Sequence, residues 1–417
     1  MDSIKIGIFG LNRGMELADS MIACGADIVA ICDGNLALLA KAQEKLGPAV
    51  TGYTKFDDFI KHEMDAVFLA NCFHEHAPYA ILCLEKGLHV LSECTAAGTM
   101  ADCVALVRAA EKSTAKYMLL ENYPFMLFNR EIKRICDGGS LGKILYAEGE
   151  YNHPPSSDSN NIEGFRRYIP YDKHWRNYNP RTYYITHSLA PLMYATGAEP
   201  VRVTAMPVCA PGYDAQIQSS RCSDRAAIIT CLNNDGSVFK VTGNAAFGAA
   251  GNSYRVCGIH GQVENIRGME NKVMLRYNNF SMPKNVENPV SLYTPAWDDP
   301  DEEKIIQAGH GGGDFIAVRT FLECIRTDSK PIFDVYFATK MSAVGILAHR
   351  SLLQKGVPFD IPDFRLEADR KRWEDDTLSP YYGFDGSAPT MPCGSMEDYE
   401  PTAEQIARYF AVLENTQ

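Results

Sequence analysis

The stretch that decides the fold is residues 3–9, SIKIGIF, followed by the turn Gly10-Leu11-Asn12-Arg13-Gly14 and by MELADSMIAC. The isoleucine and phenylalanine residues of the stretch 3–9 favour a β-strand. The apolar residues of MELADSMIAC recur at helical spacing, so a helix follows the turn. The next segment, ADIVAICD, has the composition of a second strand and ends at Asp33. The stretch therefore predicts a strand, a glycine turn, a helix and a second strand.

The same alternation continues through the first 122 residues. Short apolar stretches such as DAVFLANC, LHVLSEC and KYMLLEN alternate with the amphipathic stretches HEHAPYAILCLEKG and MADCVALVRAAEKS. Alternating strands and helices predict a parallel sheet with right-handed crossovers. We therefore expect the α/β class, with a doubly wound parallel sheet of the Rossmann type over residues 1–122.

The first turn and Asp33 indicate a dinucleotide cofactor. A glycine turn between a strand and a helix presents backbone N–H groups to a pyrophosphate, although this turn is one residue short of G-x-G-x-x-G and has Asn12 near the middle glycine. Asp33 ends the second strand about 20 residues further on, where a carboxylate accepts the ribose hydroxyls and repels a 2′-phosphate. This favours NAD over NADP. The alternative is an ordinary helix start beside an ordinary surface aspartate.

Past residue 123 the sequence pattern changes. Strand-like stretches such as KILYAEGEYNH, VRVTAMPV, SVFKVTGNAAF and SYRVCGIHG follow one another with few helices between them. This pattern predicts a second α/β domain with an open, mostly antiparallel sheet over residues 123–365. A tail over 366–417 is expected to pack back on the body, with a charged helix near 365–376 and a last helix opened by a capping box of Thr402 and Gln405.

Composition and charge narrow the class of protein. The 417 residues contain 40 Lys and Arg against 52 Asp and Glu, a formal net charge of −12, which argues against nucleic acid as a partner. The sequence shows neither a secretory signal pattern nor an apolar stretch of about 18 residues. We therefore expect a soluble, cytoplasmic protein without a membrane partner. The 13 cysteines lack C-x-x-C pairs and are expected to be reduced thiols rather than disulfides or zinc ligands.

Several motifs identify a family resemblance. LLENYPF, AEGEY, HWRNYN, the sequence Tyr184-Ile185-Thr186-His187 and GHGGGDFIAVRTF lie along nearly the whole chain. With the first turn, they make the sequence resemble the Gfo/Idh/MocA oxidoreductases and, within them, the NAD-dependent glycoside hydrolases typified by α-N-acetylgalactosaminidases. Most family members have a Glu-Lys-Pro motif with a catalytic lysine, whereas this chain has Glu93-Cys94-Thr95-Ala96. Isoleucine also replaces a proline at position 185, and the loop from Trp175 to Tyr184 is shorter.

The resemblance implies chemistry at C3 of a sugar. Gut bacteria use family members to oxidise the 3-hydroxyl of glucosides, including plant C-glycosides, and the glycoside hydrolase branch uses the same oxidation transiently. NAD takes the hydride while a side chain takes the hydroxyl proton. Histidine accepts a proton near neutral pH, whereas a tyrosine needs a positive neighbour such as Arg176, Arg181 or Lys173 to lower its pKa. The side chains expected to be catalytic are Tyr151, Tyr184 and His187.

The remaining site residues are expected to bind the cofactor or the substrate. Glu93 and Asn122 follow consecutive strands of the parallel sheet, at the edge where ligands bind. Structural roles remain the alternative for each one: a core position for His187, packing for the tyrosines, a surface stack for Trp175 and Arg176, and a helix cap for His310. His74-Glu75-His76 has no third ligand at diagnostic spacing, so no metal is expected. The predicted cofactor contacts are Gly10, Leu11, Asn12, Arg13, Asp33, Asn71, Phe73, His76, Glu93, Asn122, Trp175 and Arg176. The predicted substrate contacts are Glu121, Lys173, Tyr184, His187, Tyr254 and His310.

Three functions compete on this sequence. The first is an NAD-dependent oxidoreductase that acts on C3 of a sugar or glycoside. The second is a retaining glycosidase that uses tightly bound NAD as a transient oxidant. The third is an NAD-binding scaffold without catalysis, against which the polar and aromatic stretch 151–187 argues. An uncovered apolar face on the second sheet also predicts a homo-oligomer, as in other family members.

Overall fold

The computed structural model describes residues 3–154, 173–209, 221–404 and 407, except for the single positions 285, 297, 384 and 397. The chain forms two compact units, each of which is built from separate stretches of sequence. The predicted domains 1–122, 123–365 and 366–417 are consecutive stretches, whereas the chain returns to its first unit twice. The first unit comprises Met1–Glu131, Thr294–Ser342 and Pro362–Asp376, and the second comprises Ile132–Tyr293, Ala343–Ile361 and Thr377–Gln417.

The elements of the described chain are numbered in order. The strands are β1 (Ile4–Phe9), β2 (Ala26–Cys32), β3 (Thr51–Tyr53), β4 (Ala66–Leu69), β5 (His89–Ser92), β6 (Tyr117–Leu119), β7 (Ile144–Asn152), β8 (Pro200–Cys209), β9 (Asp224–Asn233), β10 (Val238–Ala245), β11 (Gly251–Gly258), β12 (Gly261–Ile266), β13 (Met269–Tyr277), β14 (Val290–Tyr293) and β15 (Phe359–Asp360). The helices are α1 (Leu11–Ala23), α2 (Leu36–Leu46), α3 (Phe56–Phe59), α4 (His76–Glu85), α5 (Met100–Lys112), α6 (Leu127–Asp137), α7 (Trp175–Tyr178), α8 (Thr186–Thr196), α9 (Glu302–Gln307), α10 (Gly313–Arg326), α11 (Val335–Leu353) and α12 (Glu367–Trp373).

The first unit contains a parallel sheet of six strands in the order β3-β2-β1-β4-β5-β6. Strand β1 pairs in parallel with both β2 and β4, so the strand order reverses beside β1. This is the order of a dinucleotide-binding sheet, in which ligands bind at the carboxyl ends of the strands beside the reversal. The predicted doubly wound parallel sheet is therefore confirmed.

Two helices of this unit begin at a side chain that caps them. The side chain of Asn35 accepts hydrogen bonds from the backbone N–H groups of Ala37 and Leu38 at the start of α2. Thr99 caps α5 in the same way through the N–H group of Asp102. These oxygens satisfy N–H groups that have no partner within the helix, which fixes both starts.

The second unit contains a sheet of nine strands in the order β14-β13-β12-β11-β7-β10-β9-β8-β15. Strands β7 and β10 pair in parallel, and the other pairs are antiparallel. The predicted open and mostly antiparallel sheet is confirmed. Helix α8 covers one face, and it approaches so closely that a Cβ atom at Gly149 would lie 2.0 Å from the carbonyl oxygen of Ser188.

The other face of this sheet is charged at its centre. Glu148 on β7 lies 3.2 Å from Lys240 and 3.1 Å from Arg255, and Glu150 lies 2.8 Å from Arg267. The expectation of an uncovered apolar face is therefore wrong for these central strands, because alternation along β7 turns its carboxylates away from α8. The homo-oligomer stays a prediction, but an apolar face at the centre of the sheet no longer supports it.

Two further findings concern the helices. Within the described ranges, every helix is too short or too polar to cross a lipid bilayer. The charged helix predicted near 365–376 is α12. The last predicted helix, from Thr402, lies mainly outside the described residues.

Candidate functional site

The glycine turn between β1 and α1 lies against the end of β4. Gly10 has φ +91°, and a Cβ atom there would lie 2.3 Å from the carbonyl oxygen of Ala70. Its N–H group donates to the carbonyl oxygen of Cys32 at 2.9 Å, which joins the turn to the end of β2. The first turn of α1 therefore begins at the carboxyl edge of the sheet. This is the arrangement in which a helix N-terminus receives a pyrophosphate.

Asp33 is fixed at the same edge. One carboxylate oxygen accepts from the N–H group of Leu11 and the other from that of Asn35, each at 2.8 Å. A carboxylate offers about four lone pairs, so it can still accept the hydroxyl groups of a ribose. The glycine that must lack a Cβ atom and the oriented carboxylate both fit a dinucleotide.

Predicted cofactor contacts also follow β4. Asn71 comes two residues after the strand, and Phe73 lies buried in a 3₁₀ turn. His76 is 1% exposed, and its Nδ1 donates to the carbonyl oxygen of Thr95 at 2.8 Å. Burial lowers the pKa of His76 to about 4, so the ring is neutral at pH 7. His76 therefore offers no positive charge to a phosphate.

Arg13 lies in the first turn of α1 and is held by carboxylates. Its Nε donates to Glu93, which follows β5, at 2.8 Å, and its Nη2 donates to Asp314 of α10 at 2.8 Å. Burial opposes the charge of Asp314, but His310 and Arg13 outweigh it and hold the pKa of that carboxyl well below its usual range. The charged ends of Arg13 and Glu93 are thus bound to each other, and their contact with a cofactor stays a prediction. Asp314 is not among the site residues predicted from the sequence. The run of glycines before it is the one sequence feature that could have indicated a role at the site.

Two buried polar residues, Glu121 and Asn122, come two and three positions after the end of β6. Glu121 is fully buried, and its Oε1 accepts from the N–H group of Tyr123 at 3.3 Å. Asn122 donates from Nδ2 to Asp314 at 2.7 Å. Its Oδ1 is buried and has no hydrogen-bond partner among the residues that the structure describes. Asn122 therefore retains an acceptor at the carboxyl edge of the sheet.

In the second unit, the structure brings together the three residues predicted to be catalytic. Tyr151 lies at the end of β7, whereas Tyr184 and His187 lie just before and within the first turn of α8. The ring of His187 meets Tyr151 edge-on at 4.9 Å between centroids and Tyr184 at 5.1 Å. The two tyrosine rings stack at 6.0 Å. We call these three residues the aromatic cluster.

Tyr254 supports the aromatic cluster from β11. Its hydroxyl group donates to the backbone carbonyl oxygen of His187 at 2.6 Å, and its N–H group donates to Asn265 at 2.7 Å. The residue is 1% exposed. Its hydroxyl group is thus committed to the backbone that carries His187, and a substrate contact for Tyr254 stays a prediction.

Arg176 and Arg181 precede Tyr184 in the sequence, and their charges act on His153, whose ring lies 5.6 Å from that of Tyr151 between centroids. Burial lowers the pKa of His153, and the charges of Arg176 and Arg181 lower it further. The guanidinium group of Arg176 lies 4.3 Å from the ring of Trp175. Lys173 instead lies over the ring of Tyr382, at 4.6 Å. The predicted cofactor contacts of Trp175 and Arg176, and the predicted substrate contact of Lys173, stay predictions.

His310 precedes α10 and bonds to one residue of that helix. Its Nδ1 lies 2.9 Å from Asp314, and its side chain is 37% exposed. Burial lowers the pKa of His310, but the carboxylate of Asp314 outweighs this and raises it above the usual value. The raised pKa favours the protonated ring, which would donate a hydrogen bond from its exposed part, and a substrate contact stays a prediction for this residue too.

Comparison with known proteins finds family models that match two separate segments of the chain. Residues 4–120 match the model of the Gfo/Idh/MocA oxidoreductase family, described as an NAD-binding Rossmann fold, and residues 252–373 match the C-terminal domain of glycosyl hydrolase 109. A glycosyl hydrolase family 109 protein of Streptomyces niveus is 27% identical over 87% of this chain and 77% of its own length.

Solved structures share the fold. A levoglucosan dehydrogenase in complex with NADH and L-sorbose has a TM-score of 0.72 at 17% identity, over 87% of this chain and all of its own. An aldose-aldose oxidoreductase from Caulobacter crescentus has a TM-score of 0.65 at 19% identity, over 86% of this chain and all of its own. The chain therefore joins an NAD-binding Rossmann domain of the Gfo/Idh/MocA oxidoreductase family to a C-terminal domain of the glycosyl hydrolase 109 type.

Proposed function

We propose that this protein oxidises the C3 hydroxyl group of a sugar or glycoside to the 3-oxo form. NAD, when bound by the first unit, supplies the hydride acceptor. The observation that carries the proposal is the aromatic cluster of the second unit, which supplies groups able to take the hydroxyl proton. A small-molecule sugar, including plant C- and O-glucosides, is the proposed substrate.

His187 is the proposed proton acceptor. Its ring lies edge-on against both tyrosine rings, and its backbone is held by the hydroxyl group of Tyr254. A base fixed in this way is oriented before the substrate arrives, which lowers the entropic cost of proton transfer. Tyr151 and Tyr184 offer hydroxyl groups to the sugar beside the same ring. The charges of Arg176 and Arg181, which act on the neighbouring His153, would also favour a tyrosinate.

The family supports sugar chemistry without deciding between two net reactions. The structural neighbours named above act on or bind sugars by their descriptions. The glycosyl hydrolase 109 domain favours a second candidate, a retaining glycosidase. In that reaction the C3 ketone acidifies the proton at C2, a base removes it, and the group at C1 leaves. Water then adds and the hydride returns, so that no NAD is consumed. Cys94 in place of the family's lysine is compatible with either outcome.

The test is proton NMR of the protein with NAD and a panel of glucosides in D₂O, including one C-glucoside. A 3-oxo-glycoside with stoichiometric NADH supports the oxidoreductase. Free sugar with deuterium at C2 and no net NADH supports the glycosidase. If every sugar is recovered unchanged, without solvent exchange at C2, both reactions are rejected for the panel. That result would support the alternative of an NAD-binding scaffold without catalysis.

A pair of variants tests the proposed role of His187. His187→Gln removes the base but keeps a polar side chain, so turnover should fall by about 100- to 10,000-fold. His260→Gln is the matched control, because His260 lies in the same unit between β11 and β12 and outside the aromatic cluster. Equal turnover in the two variants would contradict the assignment.

A further inference from the structure

One carboxylate, that of Asp314, bonds to three of the residues predicted to bind NAD or substrate. Its Oδ1 accepts from Nη2 of Arg13 at 2.8 Å and from Nδ2 of Asn122 at 2.7 Å. Its Oδ2 lies 2.9 Å from Nδ1 of His310 and accepts from Nη1 of Arg13 at 3.2 Å. We propose that Asp314 is a positioning residue for NAD, which fixes the first turn of α1 and the amide of Asn122 at the cofactor-binding edge. All of these residues belong to the first unit.

Charge balance is the first argument for this role. Arg13 carries one positive charge between the carboxylates of Glu93 and Asp314, and its guanidinium group is mostly buried. The excess negative charge favours a proton on His310, whose ring touches Asp314. Removal of the Asp314 charge therefore loosens Arg13 and lowers the pKa of His310. Arg13 lies in the turn that presents N–H groups to the pyrophosphate, so loosening it disturbs that turn.

The orientation of Asn122 is the second argument. An amide has one donor end and one acceptor end. Because a carboxylate only accepts, Asp314 forces the donor end of Asn122 toward itself. The acceptor Oδ1 then remains, buried and without a partner among the described residues. A buried acceptor of this kind favours a ligand that donates, such as a ribose hydroxyl or the carboxamide N–H of the nicotinamide.

The glycine before Asp314 is the third argument. A Cβ atom at Gly313 would lie 2.3 Å from the backbone carbonyl oxygen of Asn122. The start of α10 therefore reaches Asn122 only because position 313 has no side chain. Glycine at this position therefore allows a segment nearly 200 residues further along the chain to bond to Asn122.

Asp314→Asn tests the inference, with Asp299→Asn as the matched control. Asp299 is likewise a poorly exposed carboxylate of the first unit, and it binds Arg319 through two hydrogen bonds at 2.6 and 2.7 Å. Neither residue is among those predicted to bind NAD. Both variants lose an ion pair to an arginine, so a purely structural role would give them the same phenotype.

The readout is the dissociation constant for NAD, measured by calorimetric titration of the folded protein without any sugar. We expect Asp314→Asn to weaken NAD binding about 10- to 100-fold, the loss that accompanies one charge-assisted hydrogen bond, and Asp299→Asn to leave it unchanged. NMR titration should also show a lower pKa for His310 in Asp314→Asn alone. Wild-type affinity in Asp314→Asn, or an equal loss in both variants, would overturn the inference.

A second variant keeps the inference testable if Asp314→Asn does not fold. Asn122→Ser removes the amide that Asp314 orients but leaves the contact between Asp314 and Arg13. We expect weaker NAD binding with little change in thermal stability, and wild-type affinity would contradict the role of the oriented acceptor. Because these titrations involve no catalysis, their failure is distinct from a failure of the proposed sugar oxidation.

Discussion

Gly10→Ala should damage the cofactor-binding turn by two separate effects. The residue has φ +91°, a conformation that side chains of L-residues rarely adopt. In addition, the new Cβ atom would lie 2.3 Å from the carbonyl oxygen of Ala70 and 2.6 Å from the N atom of Asn71. Those contacts are with backbone atoms, which cannot move away by changing a rotamer as a flexible side chain can.

The magnitude follows from adding the two effects. A strained backbone conformation costs about 1–3 kcal/mol, and forcing an atom into a packed site costs about 1–3 kcal/mol more. The free energy of unfolding should therefore fall by about 2–6 kcal/mol. Gly47→Ala separates the effects, because Gly47 has φ +88° but a Cβ atom there would meet nothing within 4 Å. That variant should lose only the strain, about 1–3 kcal/mol.

The assay is urea unfolding of both variants, followed by titration with NAD wherever the protein folds. Gly10→Ala should be the less stable variant and should also bind NAD more weakly, because the turn must move away from Ala70 to relieve the contact. Gly47→Ala should bind NAD like the wild type. Equal stability losses in the two variants would refute the argument from close approach, and wild-type NAD affinity in Gly10→Ala would refute its link to the cofactor.

Three further predictions each concern one side chain. Asp33→Arg removes a carboxylate that accepts from the N–H groups of Leu11 and Asn35. Fluorescence titration should therefore show an affinity for NAD at least about tenfold lower, with a relative gain in the affinity for NADP. Unchanged affinities would count against a contact between Asp33 and the ribose. Tyr254→Phe leaves the buried carbonyl oxygen of His187 without the hydroxyl group that donates to it. Urea unfolding should show a free energy of unfolding lower by about 0.5–1.5 kcal/mol, and turnover should be slower. Wild-type stability and turnover would contradict the supporting role of Tyr254. Burial lowers the pKa of His349 to about 4, so the unfolded chain, with an ordinary histidine pKa of about 6.5, binds the proton first as the pH falls. His349 should therefore lower the free energy of unfolding by up to about 3 kcal/mol between pH 6.5 and pH 4, and urea unfolding of His349→Gln should show a shallower pH dependence than the wild type.

Much of the first unit could be predicted from the sequence because its signals are local. The alternation of short apolar strands with amphipathic helices determined the parallel sheet, since each element must bury one face. Gly10 and Asp33 lie about 20 residues apart in one strand–turn–helix–strand unit, so their partners are set by that unit alone. The grouping of Tyr151, Tyr184 and His187 was expected from motifs, and the structure adds the ring geometry.

The sequence did not reveal which charged groups pair with one another. Arg13 and Asp314 are 301 positions apart, and no periodicity links them. The same holds for the ion pairs that make the centre of the second sheet's face charged rather than apolar, because alternation shows which side a residue faces but not what lies opposite it.

For this protein, then, the sequence by itself determined the two sheets, the glycine turn after the first strand and the carboxylate of Asp33 that follows it. Local hydrophobic periodicity and backbone geometry are sufficient for those features. Only the tertiary structure decided that Asp314 orients Asn122 and holds Arg13, and that Tyr254 holds the backbone of His187. Such contacts depend on where distant segments meet after the chain has buried its apolar surface, and no local pattern in the sequence shows which two distant residues will form a hydrogen bond.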